Sequence, residues 1–424
     1  MGKSLVFLLA AFAASAAFAW SEGHRIITRR VLEVLNAEDR ALFGDEAKAY
    51  AEHHSLIPDL VGRKDGSERY VWDFVGYVLT DDFGDPRFEG IHLYLGPERA
   101  YEVLSYYFRH AVEAGRAGRT DEFACFVGCF THALEDWSCP AHSTAGDNVM
   151  TRLQTYLPPP KGMEFVSPHS RLETGGFALD DVACAPEVLA GTPEELAFAL
   201  LPRVERAVLA ARATIVPMLE DVYRGDQKAC EAKQKPSGAR GLKLVADAVR
   251  TVCEMVRAQG APAPRRPALS LVGTMPLEAK GLCHGQRQFV WDPYWGVPSV
   301  NCTFKDGDTP VPMAVVLEGK RTEIAEGLGF GSQHYSWFVP KGVFGRLTAV
   351  CGLHADLSAG GSCDVTVSAN GKALERFRLT GGGEARRIDL PLAADVSSLE
   401  VRVAGDLKAR KTYFVFGNPL LHFK

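Results

Sequence analysis

Beyond residue 19 the chain has no run of eighteen or more apolar residues, which excludes an ordinary membrane-spanning helix and leaves a soluble protein as the expectation. It also lacks a basic excess. Its 47 Lys and Arg face 52 Asp and Glu, for a formal charge of −5, with no polybasic patch. Neither a nucleic-acid-coating surface nor charge-driven adsorption to anionic lipid is expected, and no stable nucleic-acid partner. No Gly-x-Ser-x-Gly elbow is present, which removes the serine-hydrolase route that such an elbow serves. There is no internal repeat. Ten cysteines are present, but their spacings form no compact framework, so pairing cannot be read from them. Several read as buried small apolar residues, and none is a candidate ligand.

What the chain does have begins at its start. Residues 1–19 read as a secretory signal: Lys3, the apolar run from Leu5 to Ala13, then Ala17-Phe18-Ala19 as an A-x-A cleavage site. Cleavage between Ala19 and Trp20 and export, to the periplasm or beyond the cell, are expected. Loss of Lys3 would move the formal charge from −5 to −6. Trp20 would then carry a free α-amine. With its own carbonyl oxygen this amine can chelate Zn²⁺ in a five-membered ring, and His24 can add a ring nitrogen.

At 424 residues, with 46% apolar and 23% charged residues, the chain is globular in composition and long enough for two domains. Residues 20–260 carry helical patterning, with helices expected over 24–35, 97–117, 121–137, 193–222 and 227–258. Stretches 57–96 and 143–165 show no regular signal; irregular stretches of that length are usually functional. A Pro-rich linker is expected over 261–269. From 270 to 424 short apolar runs alternate with turn signals such as Asn370-Gly371 and Gly381-Gly382-Gly383, the texture of an antiparallel sandwich. The expected fold class is therefore multidomain, an all-α domain followed by an antiparallel β-sandwich.

Two pairs with four-residue spacing stand out, His132 with Asp136 and His169 with Glu173. On an α-helix each pair would share a face and converge on one ion. Between them lies His142, beyond the helix-ending Pro140. Upstream, Asp59 follows Pro58, and His92 lies in the same long irregular stretch. Histidine, carboxylate and amine donors in an exported protein suit zinc.

In this order Trp20, His24, Asp59, His92, His132, Asp136, His142, His169 and Glu173 resemble the ligands of the bacterial zinc-dependent phospholipases C. The local strings Gly23-His24-Arg-Ile-Ile-Thr-Arg-Arg30 and Thr131-His-Ala-Leu-Glu-Asp-Trp-Ser-Cys-Pro-Ala-His142 are similar too. The resemblance spans about 20–222 and implies an all-α fold with three zinc ions. It implies one ion between Asp59, His92, His132 and Asp136, and a second held by His142, His169 and Glu173. A third would take the Trp20 amine and carbonyl, His24 and a shared oxygen of Asp136. The spacer from Trp20 to His24 is shorter than those phospholipases usually carry. It matches the related fungal single-strand nucleases and 3′-nucleotidases, which place Gly before the His but end the last pair in Asp rather than Glu. Grouped zinc ions suit in-line attack of activated water on a phosphodiester, and the resemblance makes Asp59 the general base. Trp72, Phe74, Tyr77, Phe83 and Tyr94 are candidate contacts for a lipid or its choline, or packing for the loops that carry them.

Residues 282–423 resemble the NPCBM family, a carbohydrate-binding β-sandwich. The similarity rests on Ala325-Glu-Gly-Leu-Gly329, Cys351-Gly-Leu-His-Ala-Asp356 and the run from Gly360 to Lys372. That family's late acidic, Trp-containing segment is replaced here by the run from Lys411 to Leu420. The resemblance implies docking on a glycan surface, with Trp291, Trp295, Tyr335 and Trp337 as candidate platforms or core aromatics. Three functions follow. The first is a secreted zinc-dependent phosphodiesterase of phospholipase C type. The second is an exported single-strand nuclease or 3′-nucleotidase. The third is a surface- or glycan-binding protein with only structural zinc. A three-ligand ion with an open position favours catalysis over the third.

Overall fold

Nine α-helices occur among the described residues: α1 Ser21–Val34, α2 Ala37–Ala41, α3 Ala47–Glu52, α4 Ile57–Leu60, α5 Pro97–Arg116, α6 Thr120–Ser138, α7 Asp147–Tyr156, α8 Pro193–Arg224 and α9 Gln227–Arg257. They come from a computed structural model that describes residues 20–60, 91–143, 147–166, 172–173, 177–259, 267–272, 274, 278–280, 298–305, 309–405 and 411–424. The expected signal at 1–19 lies outside that set. The chain divides into two compact units between Arg265 and Arg266, and all the helices belong to the first. No helix of the described residues is long and apolar enough to cross a membrane.

The five long helices start and stop within three residues of the sequence expectation, because their ends carry local signals. Thr192 caps α8 by accepting from the Glu195 amide, Pro193 opens it, and Gly225 closes it at φ 73°. Asp226 then caps α9 by accepting from the Ala229 amide. α6 differs in kind: every residue from Phe123 to Ser138 is buried. It packs against α5 through Phe108 and Phe130, whose rings lie 4.8 Å apart. Apolar nearly all round, α6 sits where its few polar side chains must find partners, and those are the side chains of interest.

The expectation of irregular structure changes in two places. Stretch 57–96 opens with α4, Ile57–Leu60. Stretch 143–165 contains α7, where Val149, Met150 and Leu153 supply a short helical stripe that the flanking Pro and Gly residues obscure. Residues 157–166 beyond it have no regular structure.

The second unit holds a six-stranded and a five-stranded sheet, and its named strands pair antiparallel. Ala268–Ser270 pairs with residues 420–422. Residues 268 and 269, expected in the linker, therefore belong to a sheet, and residues 261–266 of that linker lie outside the description. Strands Ser362–Ala369 and Lys372–Thr380 form a hairpin. Its turn puts Asn370 at φ 47° and Gly371 at φ 73°, as a tight two-residue hairpin requires. Leu399, Val401 and Val403 alternate inward along one strand. Tyr335 and Trp337 turn inward as well, their rings 4.9 Å from Phe330 and 6.4 Å from Phe416 of the other sheet. Both are fully buried, so they are core and not glycan platforms; Trp291 and Trp295 lie outside the described residues.

Candidate metal centre

Trp20 is the N-cap of α1, at φ 44°, and its carbonyl accepts the His24 amide at 2.9 Å. Its indole folds over the first turn, edge-on to the His24 ring at 5.6 Å and 5.9 Å from Phe177. A Cβ on Gly23 would stand 2.8 Å from that indole, so the glycine before His24 lets the ring lie on the helix.

On α6, His132 and Asp136 are one turn apart, with Nε2 and Oδ2 at 3.0 Å. Two hydrogen bonds aim the neighbouring imidazoles. His132 Nδ1 donates to the Ser55 carbonyl at 2.7 Å, and His24 Nδ1 donates to Glu135 Oε2 at 2.6 Å. In both rings this leaves Nε2 pointing into the cluster, and the rings stack at 4.4 Å. Ser55 reaches His132 because Gly128, one turn earlier, admits the 54–56 turn; a Cβ there would come within 2.5 Å of the His54 backbone.

Asp136 is the hub. Its Oδ2 faces His92 Nδ1 at 3.3 Å and His132 Nε2 at 3.0 Å. Its Oδ1 faces His24 Nε2 at 3.3 Å and His142 Nε2 at 3.8 Å. Asp59 Oδ1 closes the first set, 3.8 Å from both His92 Nδ1 and His132 Nε2, which are themselves 3.1 Å apart. On the other side the turn after Pro140 brings His142 Nε2 to 2.9 Å from Glu173 Oε1. The Arg212 guanidinium braces that turn by donating to the Ser143 carbonyl.

The spacings suit a metal. Zinc bonds of about 2.0–2.1 Å put tetrahedral donor atoms about 3.3 Å apart, and the five distances among Asp59, His92, His132 and Asp136 run from 3.0 to 3.8 Å. The donor atoms of Asp59, His92 and His132 lie within 4.8 Å of one another, as do those of His24, His132 and Asp136. Buried acids and imidazoles in such a cluster hold protons where a cation would sit. Burial works against a charged His142, but Asp136 and Glu173 raise it to about 9. Burial likewise opposes charge on His24, and hydrogen bonds to Asp136 and Glu135 outweigh it, raising its pKa well above the ordinary value. Burial pushes Glu135 up to about 7. Burial would also raise Asp136, yet His132 and His142 hold it well below the usual carboxylate range.

Of the nine sequence candidates, Asp59, His92, His132, Asp136, His142, Glu173 and His24 converge, and Trp20 lies against His24. His169 lies outside the described residues, and Glu173 sits in a turn rather than on a helix. Glu135 is absent from the ligand pattern, although a second carboxylate beside Asp136 in the fully buried part of α6, three residues after His132, is a signal of its own. Tyr94 is core: it packs 5.9 Å from Trp137 and its hydroxyl donates to Glu205 at 3.1 Å. Trp72, Phe74, Tyr77 and Phe83 lie outside the described residues.

No family model matches the chain, and no curated protein does. Among solved structures it aligns with the alpha toxin of Clostridium absonum at 10% identity and TM-score 0.30, over 96% of this chain and 94% of that one. The M60 catalytic domain with two CBM51 domains from Clostridium perfringens ZmpB aligns at 12% identity and TM-score 0.30, over 37% of this chain and 15% of that one. A CBM51 from a Clostridium perfringens GH95, in complex with methyl-galactose, aligns at 14% identity and TM-score 0.28, over 36% of this chain and 99% of that one. The chain thus spans about one seventh of the ZmpB structure. At such TM-scores the functional reading rests on the side-chain geometry.

Proposed function

We propose that the protein is a secreted, zinc-dependent phosphodiester hydrolase of phospholipase C type, exported with cleavage between Ala19 and Trp20. One observation carries the proposal: the two oxygens of Asp136 face two different sets of imidazoles, as a carboxylate shared between ions does. Asp59, His92, His132 and Asp136 would hold one ion, His142, Glu173 and His169 a second, and His24, Asp136 and the Trp20 amine and carbonyl a third. When bound, zinc would supply an activated water and neutralise the charge that develops on a phosphodiester.

The chain's own residues do the rest. Asp136 is 1% exposed whereas Asp59 is 29% exposed, so of these two carboxylates Asp59 is the one that meets solvent. That supports it as the group that receives the proton of the attacking water. His92, equally open, marks the same side as the substrate face. Glu135 and the Ser55 carbonyl keep His24 and His132 in the tautomer that presents Nε2. Glycan docking through the second unit remains a proposal of the sequence resemblance and needs a platform other than Tyr335 and Trp337.

The processed, zinc-loaded protein should hydrolyse micellar phosphatidylcholine to diacylglycerol and phosphocholine. Hydrolysis of single-stranded DNA or a 3′-nucleotide alone would replace this reading with the nuclease one, and hydrolysis of none would leave a binding protein with structural zinc.

A further inference from the structure

Apart from Leu95 at 47% and Val216 at 37%, the large apolar side chains exposed among the described residues of the first unit are not scattered. Tyr156 at 84%, Phe165 at 50%, and Leu157 and Met163 at 39% each all belong to one excursion, the end of α7 and the loop after it. Between them Pro158, Pro159 and Pro160 stiffen the chain. The base of the loop is pinned at both strands by one side chain: Gln154 donates through Nε2 to the Val166 carbonyl at 2.8 Å and accepts the Val166 amide on Oε1 at 2.6 Å. The Tyr223 hydroxyl donates to the Leu157 carbonyl at 2.8 Å.

We propose that this loop, from Tyr156 to Phe165, docks the protein on a phospholipid–water interface. The inference rests on the phospholipase reading of the zinc site and names the element through which that site would reach aggregated lipid. Three features favour a lipid surface over a protein pocket. First, entering the headgroup region strips water from the backbone, which costs most where N–H groups lack partners. Here three residues are prolines without an N–H, and the Leu157, Met163 and Val166 amides already donate to Leu153, Pro160 and Gln154. Second, the exposed side chains include a tyrosine, whose ring and hydroxyl suit the boundary between acyl chains and headgroups. Third, the charged residues from Tyr156 to Phe165 are Lys161 and Glu164, both exposed, which offset each other, so no net charge opposes docking on a zwitterionic lipid surface. Because Gln154 and the prolines fix the loop beforehand, little conformational freedom is lost on docking.

The test uses full-length, processed protein and vesicles of phosphatidylcholine, with Tyr156→Ser, Met163→Ser and Phe165→Ser combined in one variant. Vesicle binding and hydrolysis of vesicle lipid should each fall about tenfold or more, while hydrolysis of monomeric dihexanoyl-phosphatidylcholine stays at the wild-type rate. Separately, Phe165→Trp should gain blue-shifted emission on vesicles, quenched by brominated lipid, relative to wild type. Wild-type vesicle binding by the triple variant, an unshifted Phe165→Trp, or a wild-type protein that binds no vesicles would each overturn the proposal. If neither monomeric nor vesicle lipid is hydrolysed while the loop still binds and shifts, the phospholipase reading fails and the docking surface stands.

Discussion

His24 Nδ1 and Glu135 Oε2 meet at 2.6 Å across 111 residues of sequence, both fully buried. The bond joins the first helix to the helix that carries His132 and Asp136. A carboxylate in that position sets the tautomer of a metal-binding imidazole and raises its basicity.

Replacing Glu135 should therefore act through His24. Glu135→Ala is expected to weaken zinc binding at the His24 position by about 10–100-fold, read as the loss of one zinc equivalent on mild dialysis. Glu135→Gln, which can still accept from Nδ1, should recover much of that loss. Equal zinc retention in Glu135→Ala and wild type would remove the role assigned here.

Asp136→Asn is expected to lose zinc and activity together, because that carboxylate serves both halves of the cluster. Metal analysis alongside the phosphatidylcholine assay checks this; wild-type turnover in the variant would overturn the shared-ligand arrangement.

A protein that keeps Ala19 ahead of Trp20 should hold one zinc fewer than the processed form, since the α-amine becomes an amide. Mass spectrometry of the terminus paired with zinc content distinguishes the two forms, and full zinc content with Ala19 retained would release Trp20 from the ligand set.

Proton competition makes zinc binding depend on pH. His142 is raised to about 9 in the metal-free fold, against about 6.5 when unfolded. Its charged form thus stabilises the metal-free protein fully below about 6.5, and that stabilisation is lost as pH rises through about 9. Zinc must displace the proton, so affinity should climb up to about tenfold per pH unit over this window, and the zinc-induced rise in Tm should widen. Titration calorimetry in two buffers of different ionisation heat would report the released protons; a pH-independent affinity would contradict the assignment.

Gly128→Ala places a methyl group 2.5 Å from the His54 backbone. Overpacking at so close a contact is expected to cost about 1–3 kcal/mol, measured by urea unfolding of the metal-free protein. It should also loosen zinc by moving the Ser55 carbonyl away from His132. Unchanged stability would mean that the 54–56 turn yields easily.

Much of the architecture is legible locally. Long helices announce themselves through apolar stripes and capping residues such as Thr192 and Gly225, and the strands through alternation like that of Leu399, Val401 and Val403. His132 and Asp136 are legible for the same reason, because their four-residue spacing is a property of one helical turn; the full ordered set of donors is legible through the family resemblance. α7 is harder to see because a single ten-residue stripe between Gly- and Pro-containing segments carries little periodic signal. Tyr94, Tyr335 and Trp337 show the other limit, since an aromatic side chain reads alike in sequence whether it faces a ligand or the core.

Residue identity and short-range spacing thus determined on their own which side chains could bind a cation and that helices precede strands. Only the tertiary structure decided that Glu135 orients His24, that the Ser55 carbonyl orients His132, and that Asp136 presents one oxygen to each half of the cluster. Those relationships join segments tens to more than a hundred residues apart, where chain connectivity constrains nothing and packing around a buried helix does.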